Sequence, residues 1–185
     1  MPFRYEFRLS GSGGQGLILA GKILAEAAAI YDGKNATQSQ SYGPEARGGS
    51  SRSEIIISDE EIDYPKAVNI DLLLAFTQEA CDKYCKDIKE NGILLADSGY
   101  VTKVPEGNFK TYSLPITDIA EKEVGKALVA NIVALGVITE LTHAISKDAV
   151  ESAILSRVPK GTEDLNRKAF TVGINAVKRL VKKRP

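Results

Sequence analysis

The residues best placed for chemistry open the chain: Gly11, Gly13, Gly14, Gln15 and Gly16, in the run SGSGGQG. They sit between an alternating run (Tyr5, Phe7, Leu9) that predicts a strand and an alanine-rich stretch, Leu17 to Ile30, that predicts a helix. Glycine accepts positive φ and lets another backbone or a ligand come close, and the first N–H groups of a helix lack intrahelical acceptors. Strand, glycine turn and helix together therefore offer donors, and the positive end of the helix dipole, to a phosphate or carboxylate. Gly11, Gly13 and Gly16 also satisfy the G-x-G-x-x-G spacing of dinucleotide crossovers. Dinucleotide binding further asks for an Asp or Glu about 20 residues on, at the end of the second strand, to hold a ribose hydroxyl. The second strand predicted here, Ala36 to Gln40, is polar but uncharged, and Asp32 falls before it in an Asp32-Gly33 turn. The pattern argues against a nicotinamide or flavin site. It leaves an anion or a tightly docked partner chain.

A second group lies in the polar segment 40–52: Ser41, Tyr42, Gly43, Pro44, Glu45, Arg47, Gly48 and Gly49. A polar stretch this long inside a compact domain is more often functional than idle. Arg47 precedes two residues without side chains, so its guanidinium could grip a carboxylate or phosphate through paired hydrogen bonds, or could pair with Glu45 inside a subunit interface. In open α/β sheets ligands bind beyond the carboxyl ends of the strands. Both groups follow predicted strands, so they are expected side by side at that edge. Gln15 either orients a ligand with its amide or is an exposed first-turn residue. Asn131, alone on an apolar helix, needs hydrogen-bond partners if buried and is expected to brace the 41–49 loop or to reach an interface. His143, the single histidine, is expected at a surface or helix end. Cys81 and Cys85, four apart on a predicted helix, read as half-buried thiols. Two thiols do not ligate a four-iron cluster, so no iron–sulfur centre is expected in this chain. The sequence also lacks an HExxH, a Cys/His cluster, a nucleophile elbow and a Walker lysine after the glycine turn.

The elements that must position these groups read as alternating strands and helices. Ser53 to Ser58 is a β-branched strand, 59–63 a turn, and Ile70 to Phe76 a continuous apolar run suited to a central parallel strand. Thr77 caps a helix predicted to run to about Lys89, with Glu79 in its first turn. Asn91-Gly92 ends it, and Ile93 to Ala96 is a buried strand finishing at Asp97. Phe109 to Leu114 alternates as a more exposed strand. The last third reads as helical: a short helix capped by Thr117, an apolar helix within 126–144, one capped by Ser146 over Lys147 to Val158, and one from Thr162 to about Lys183. The expected fold is a single domain over 1–185, of α/β class, three-layer α/β/α with a mostly parallel, Rossmann-like sheet and a helical C-terminal third. Its 185 residues carry 24 Lys plus Arg against 24 Asp plus Glu, so no global field favours nucleic acid or a membrane surface. No apolar run has the length of a membrane span and the N-terminus lacks a signal-peptide core, so a cytoplasmic protein is expected.

Together, GSGGQG (11–16) with the AGKILAEAA helix, SYGPEARGG (41–49), YPKAVNIDLLLAFTQEACDKY (64–84) and ANIVALG (130–136) resemble the gamma subunit of the 2-oxoacid:ferredoxin oxidoreductases over almost the whole chain. The single Arg before two glycines looks more like the 2-oxoglutarate enzymes than the pyruvate enzymes, whose gamma chains tend to show two consecutive arginines. Subunits of pyruvate, 2-oxoisovalerate and indolepyruvate oxidoreductases are close alternatives. The resemblance implies a division of labour. Thiamine diphosphate and Mg2+ sit between alpha and beta chains, iron–sulfur clusters sit in other chains or domains, and the complex turns a 2-oxoacid into an acyl-CoA, CO2 and reduced ferredoxin. The implied partners are alpha and beta subunits, with a delta subunit in some complexes, and ferredoxin through the complex. By the same resemblance this chain binds no cofactor alone, has no catalytic residue, and turns the 11–16 and 41–49 segments and Asn131 toward partner chains or CoA. The rival from another class is an independent dinucleotide- or anion-binding protein.

Overall fold

The computed structural model of the protein describes residues 2–43 and 49–182. Six strands form one sheet in the order β2-β3-β1-β4-β5-β6. They are β1 (Arg4–Ser12), β2 (Asn35–Tyr42), β3 (Ser50–Ser58), β4 (Ile70–Ala75), β5 (Ile88–Asp97) and β6 (Lys110–Leu114). β1, β4, β5 and β6 are parallel neighbours, whereas β3 runs antiparallel to both β1 and β2. Five strands thus share one direction, as a mostly parallel sheet requires, and β3 alone opposes them, an exception that the strand-by-strand reading did not mark. The reason is length. The link between β2 and β3 spans only 43–49, too short for a parallel crossover, which takes on the order of a dozen residues.

Side chains alternate between two cores, as the pleat requires. Phe7, Leu9, Ile55, Ile57, Leu72, Leu74 and Leu95 pack beneath α1 (Leu17–Glu26), α4 (Ala130–Thr142), α5 (Lys147–Arg157) and α6 (Glu163–Lys182). Ile56, Leu73, Ala75, Leu94 and Ala96 pack on the other face against α2 (Gln78–Tyr84). The three layers of the sequence reading are therefore present, with one helical layer far thicker than the other. α1 continues into a π turn, Ala27–Tyr31. α4 is buried from Ala130 to Thr139 and crosses α6 at Gly136 and Gly173; a Cβ on Gly173 would overlap the Val133 carbonyl, and one on Gly136 the Phe170 carbonyl. Only glycine lets the two helices come this close.

Local signals held at some ends and moved at others. Thr77 and Ser146 cap α2 and α5 by accepting from Ala80 N–H (3.2 Å) and Ala149 N–H (3.2 Å). The helix predicted to reach Lys89 stops at Tyr84, passes through a 3-10 turn (Cys85–Asp87), and yields to β5 at Ile88. Asn91-Gly92 is not a helix stop but an irregularity inside β5, with Asn91 at φ 62°, a conformation that Asn tolerates. Thr117 does not cap α3 (Ile116–Ile119) either. It lies inside the first turn, and Asp97, fully buried at the end of β5, accepts from Thr117 N–H (3.0 Å) and Oγ1–H (2.5 Å). A strand terminus thereby supplies the cap that the helix lacks.

Candidate functional site

The glycine turn stands at the carboxyl end of β1, the central strand where neighbours reached by opposite crossovers meet. Gly14 (φ 86°) and Gly16 (φ 73°) take left-handed conformations that favour glycine. Gly16 is the N-cap of α1 and brings no side-chain acceptor, so the first N–H groups of α1 remain available to an outside oxygen. The expected juxtaposition is present: Gly13 N–H donates to the Gly49 carbonyl (2.7 Å) and Gly43 N–H to the Ser50 carbonyl (2.6 Å). The base of the 43–49 hairpin is thus fastened to the turn. Ser41 and Tyr42 are not loop residues. They finish β2, both exposed, and Tyr42 pairs in register with Ser51. Pro44, Glu45, Arg47 and Gly48 lie outside the described residues.

Gln15 does not face outward as a free amide. Its Oε1 accepts from Ser12 N–H (2.8 Å) and lies where a Cβ on Gly11 would fall, so it locks the turn onto the strand end and explains why Gly11 is glycine. Asn131 is 6% exposed and braces the glycine turn rather than the 41–49 segment: its Nδ2 donates to the Gly16 carbonyl (3.1 Å) and its Oδ1 accepts from Ile132 N–H (2.9 Å). A Cβ on Gly16 would strike this amide. Helix α4 therefore reaches across the core to fix the cap of α1.

Sequence reasoning missed what lies beside the turn. A cavity of about 320 Å³ opens next to Gly14, Gly16 and Asn131, walled by Leu128, Val129 and Leu165 and edged by Lys126, Thr162 and Asn166. Leu128 is 77% exposed at this site. The last third of the chain read only as packing, and no pattern marks a helix end as cavity wall; the Pro159-Lys160-Gly161 break beside Thr162 was the available signal. The arrangement is an apolar recess with one cation and backbone donors at its lip, suited to receiving part of a larger group or chain.

Asp32, the acid nearest the place where a dinucleotide enzyme needs one, is committed elsewhere: it accepts from Ser146 N–H (2.7 Å) and Ser146 Oγ–H (2.6 Å). His143 is exposed at the carboxyl end of α4, with φ 50°. Cys81 is buried and Cys85 half-buried. Burial, then the neighbouring Cys85 and Asp82, push the Cys81 thiol up to about 11, away from reactivity. Two cysteines in the whole chain do not furnish the four thiolates of a cluster, so iron–sulfur chemistry does not fit these residues.

The family model for pyruvate ferredoxin/flavodoxin oxidoreductase matches residues 6–176. The chain belongs to that family. Among oxidoreductase subunits of known name, it is 54% identical to the 2-oxoglutarate synthase subunit KorC of Methanocaldococcus jannaschii, over 97% of each chain. The pyruvate synthase subunit PorC of Methanothermobacter marburgensis is 30% identical, over 94% of this chain and 97% of that one. Among solved oxidoreductase structures, the keto/oxoacid ferredoxin oxidoreductase gamma subunit of Geobacter sulfurreducens is 58% identical, with a TM-score of 0.85 over 95% of this chain and 99% of that one.

Proposed function

We propose that this chain is the gamma subunit of a 2-oxoglutarate:ferredoxin oxidoreductase, and that it shapes a pocket shared with partner subunits without supplying a bond-breaking group. The observation that carries the reading is full-length likeness to a 2-oxoglutarate synthase subunit at 54% identity, against 30% for a pyruvate synthase subunit, in a chain whose glycine turn and hairpin meet at Gly13 and Gly49. The complex oxidatively decarboxylates 2-oxoglutarate to an acyl-CoA, CO2 and reduced ferredoxin in the cytoplasm. Thiamine diphosphate and Mg2+ sit between alpha and beta subunits, and iron–sulfur clusters sit in other chains or domains. Thiamine diphosphate supplies the stabilisation of negative charge on the substrate carbon.

The role of this chain is positional. The turn presents backbone N–H groups with the positive end of α1 behind them, and Gln15 and Asn131 hold that turn from two sides. Rigid donors of this kind suit an anionic group such as the phosphates of CoA, or a partner's carbonyl or carboxylate oxygens. Arg47, in the run Ser41 to Gly49, carries the guanidinium that by its chemistry would grip a phosphate or carboxylate. In the purified complex, Arg47→Ala is expected to lose acyl-CoA formation or subunit assembly. Unchanged assembly, turnover and KM for CoA would refute the reading.

A further inference from the structure

We propose that β2 is a self-association edge, through which two copies of this chain pair antiparallel across a two-fold axis and join their sheets. The inference rests on the strand itself and is independent of the substrate. The two edges of the sheet are built differently. β6 is five residues long, starts at Lys110 and runs straight into Pro115; charge, proline and shortness are the usual guards of an exposed edge. β2 is eight residues long, and its sequence NATQSQSY contains neither a charge nor a proline. An unguarded edge of that length is a template for another strand.

Symmetry says which strand. In an isologous antiparallel pair every β2 residue meets another β2 residue, so a charge near the axis would face its own copy. There is none, and a partner strand of either charge finds nothing complementary on the strand itself. Thr37, Gln38, Ser39, Gln40 and Ser41 each donate and accept, so they satisfy one another whichever copy they belong to. The flank supports the same occupant. On the α1 side a groove of about 430 Å³ runs beside β2, lined by Ala25, Ala29, Ile30 and Ala36, with Ile30 70% exposed. A two-fold axis normal to the sheet sets the two α1 helices on the same face, alanines toward alanines, and covers both Ile30 side chains. Of the charged residues lining this groove, Glu26 and Arg157 are already paired within each copy, and Lys22 completes the lining.

Sedimentation velocity on the full-length chain is expected to give twice the chain mass. Ile30→Glu and Ser39→Lys, both at exposed positions, are each expected to give the monomer with an unchanged far-UV circular dichroism spectrum. Amide exchange should show protection along Thr37–Ser41 that is lost on dilution into the monomer. A chain monomeric at every concentration, a dimer that both substitutions leave intact, or protection of β2 that appears only when a different subunit is added would each overturn the proposal.

Discussion

The two faces of the sheet are held by different physics. Under α1, α4, α5 and α6 the strands show large apolar side chains, and each buried Leu, Ile or Phe contributes roughly 1.5–3 kcal/mol. On the opposite face one helix, α2, of seven residues, covers the strands together with loop residues such as Ala67 and Val101, and β1 and β3 carry charge there. Arg8, 5% exposed, donates to Glu54 Oε1 (2.7 Å) and Asp87 Oδ2 (2.5 Å) and lies 4.9 Å from the centre of the Tyr84 ring. Buried Glu6 accepts from Val68 N–H (2.7 Å), Asn69 N–H (2.9 Å) and Arg4 Nε–H (2.8 Å), while Lys89 pairs with Asp71. Burial, with Asp71 nearby, also holds the Tyr5 phenol well above its ordinary range. The contrast teaches that a sheet with too little helix to cover it can still be closed, provided each buried charge has its counter-charge on a neighbouring strand or loop.

The largest effect that tests this contrast is expected from Arg8→Ala. It leaves Glu54 without its principal partner in a buried setting, and urea unfolding should show a loss of about 3–5 kcal/mol. Arg8→Met combined with Glu54→Leu should recover most of that loss; a double variant as unstable as Arg8→Ala would mean that shape, not charge pairing, holds this face. On the apolar face Gly173→Ala forces α6 away from α4 and should cost about 1–3 kcal/mol, read as a lowered Tm. Asn131→Ala removes the brace on Gly16 and should cost about 1 kcal/mol by the same unfolding assay. The smallest effect concerns Cys81. Its thiol titrates near 11 when folded, against an ordinary 9.0, so the neutral form is favoured by folding. That contribution is whole below pH 9 and is lost as pH rises from 9 through 11. Alkylation followed by mass spectrometry at pH 8 should therefore modify Cys81 more slowly in the native protein than in urea. Equal rates would show that this thiol is not shielded.

Much of the architecture was legible because the informative residues act locally. The alternation of Tyr5, Phe7 and Leu9, the unbroken run Ile70 to Phe76, the caps at Thr77 and Ser146 and the Pro159–Gly161 break report on neighbours within a few positions. What escaped depends on distance in the chain. The direction of β3 is decided by the length of the 43–49 link and by where β1 has room. The α2 boundary moved because Ile88 finds a sheet neighbour, Ile70, in β4, which outweighs the fitness of this stretch for a helix. At the candidate site, the meeting of turn and hairpin followed from strand ends alone, whereas the target of Asn131 did not: its partner lies 115 positions away. The cavity beside Gly14 was hidden for the same reason, since its walls come from three helix ends.

The tie between Asp32 and Ser146 spans 114 positions, and a second tie joins Glu26 to Ser156 and Arg157. A nascent polypeptide leaving the ribosome thus exposes its first crossover long before the residues that clamp it exist. The early segment waits as a loosely closed unit, with the alanine face of its helix uncovered, until residues 146–157 emerge. Closure of the crossover is in this way deferred until residues 146–157 are made, and a chain cut short before residue 131 would carry the glycine sequence without the brace on Gly16.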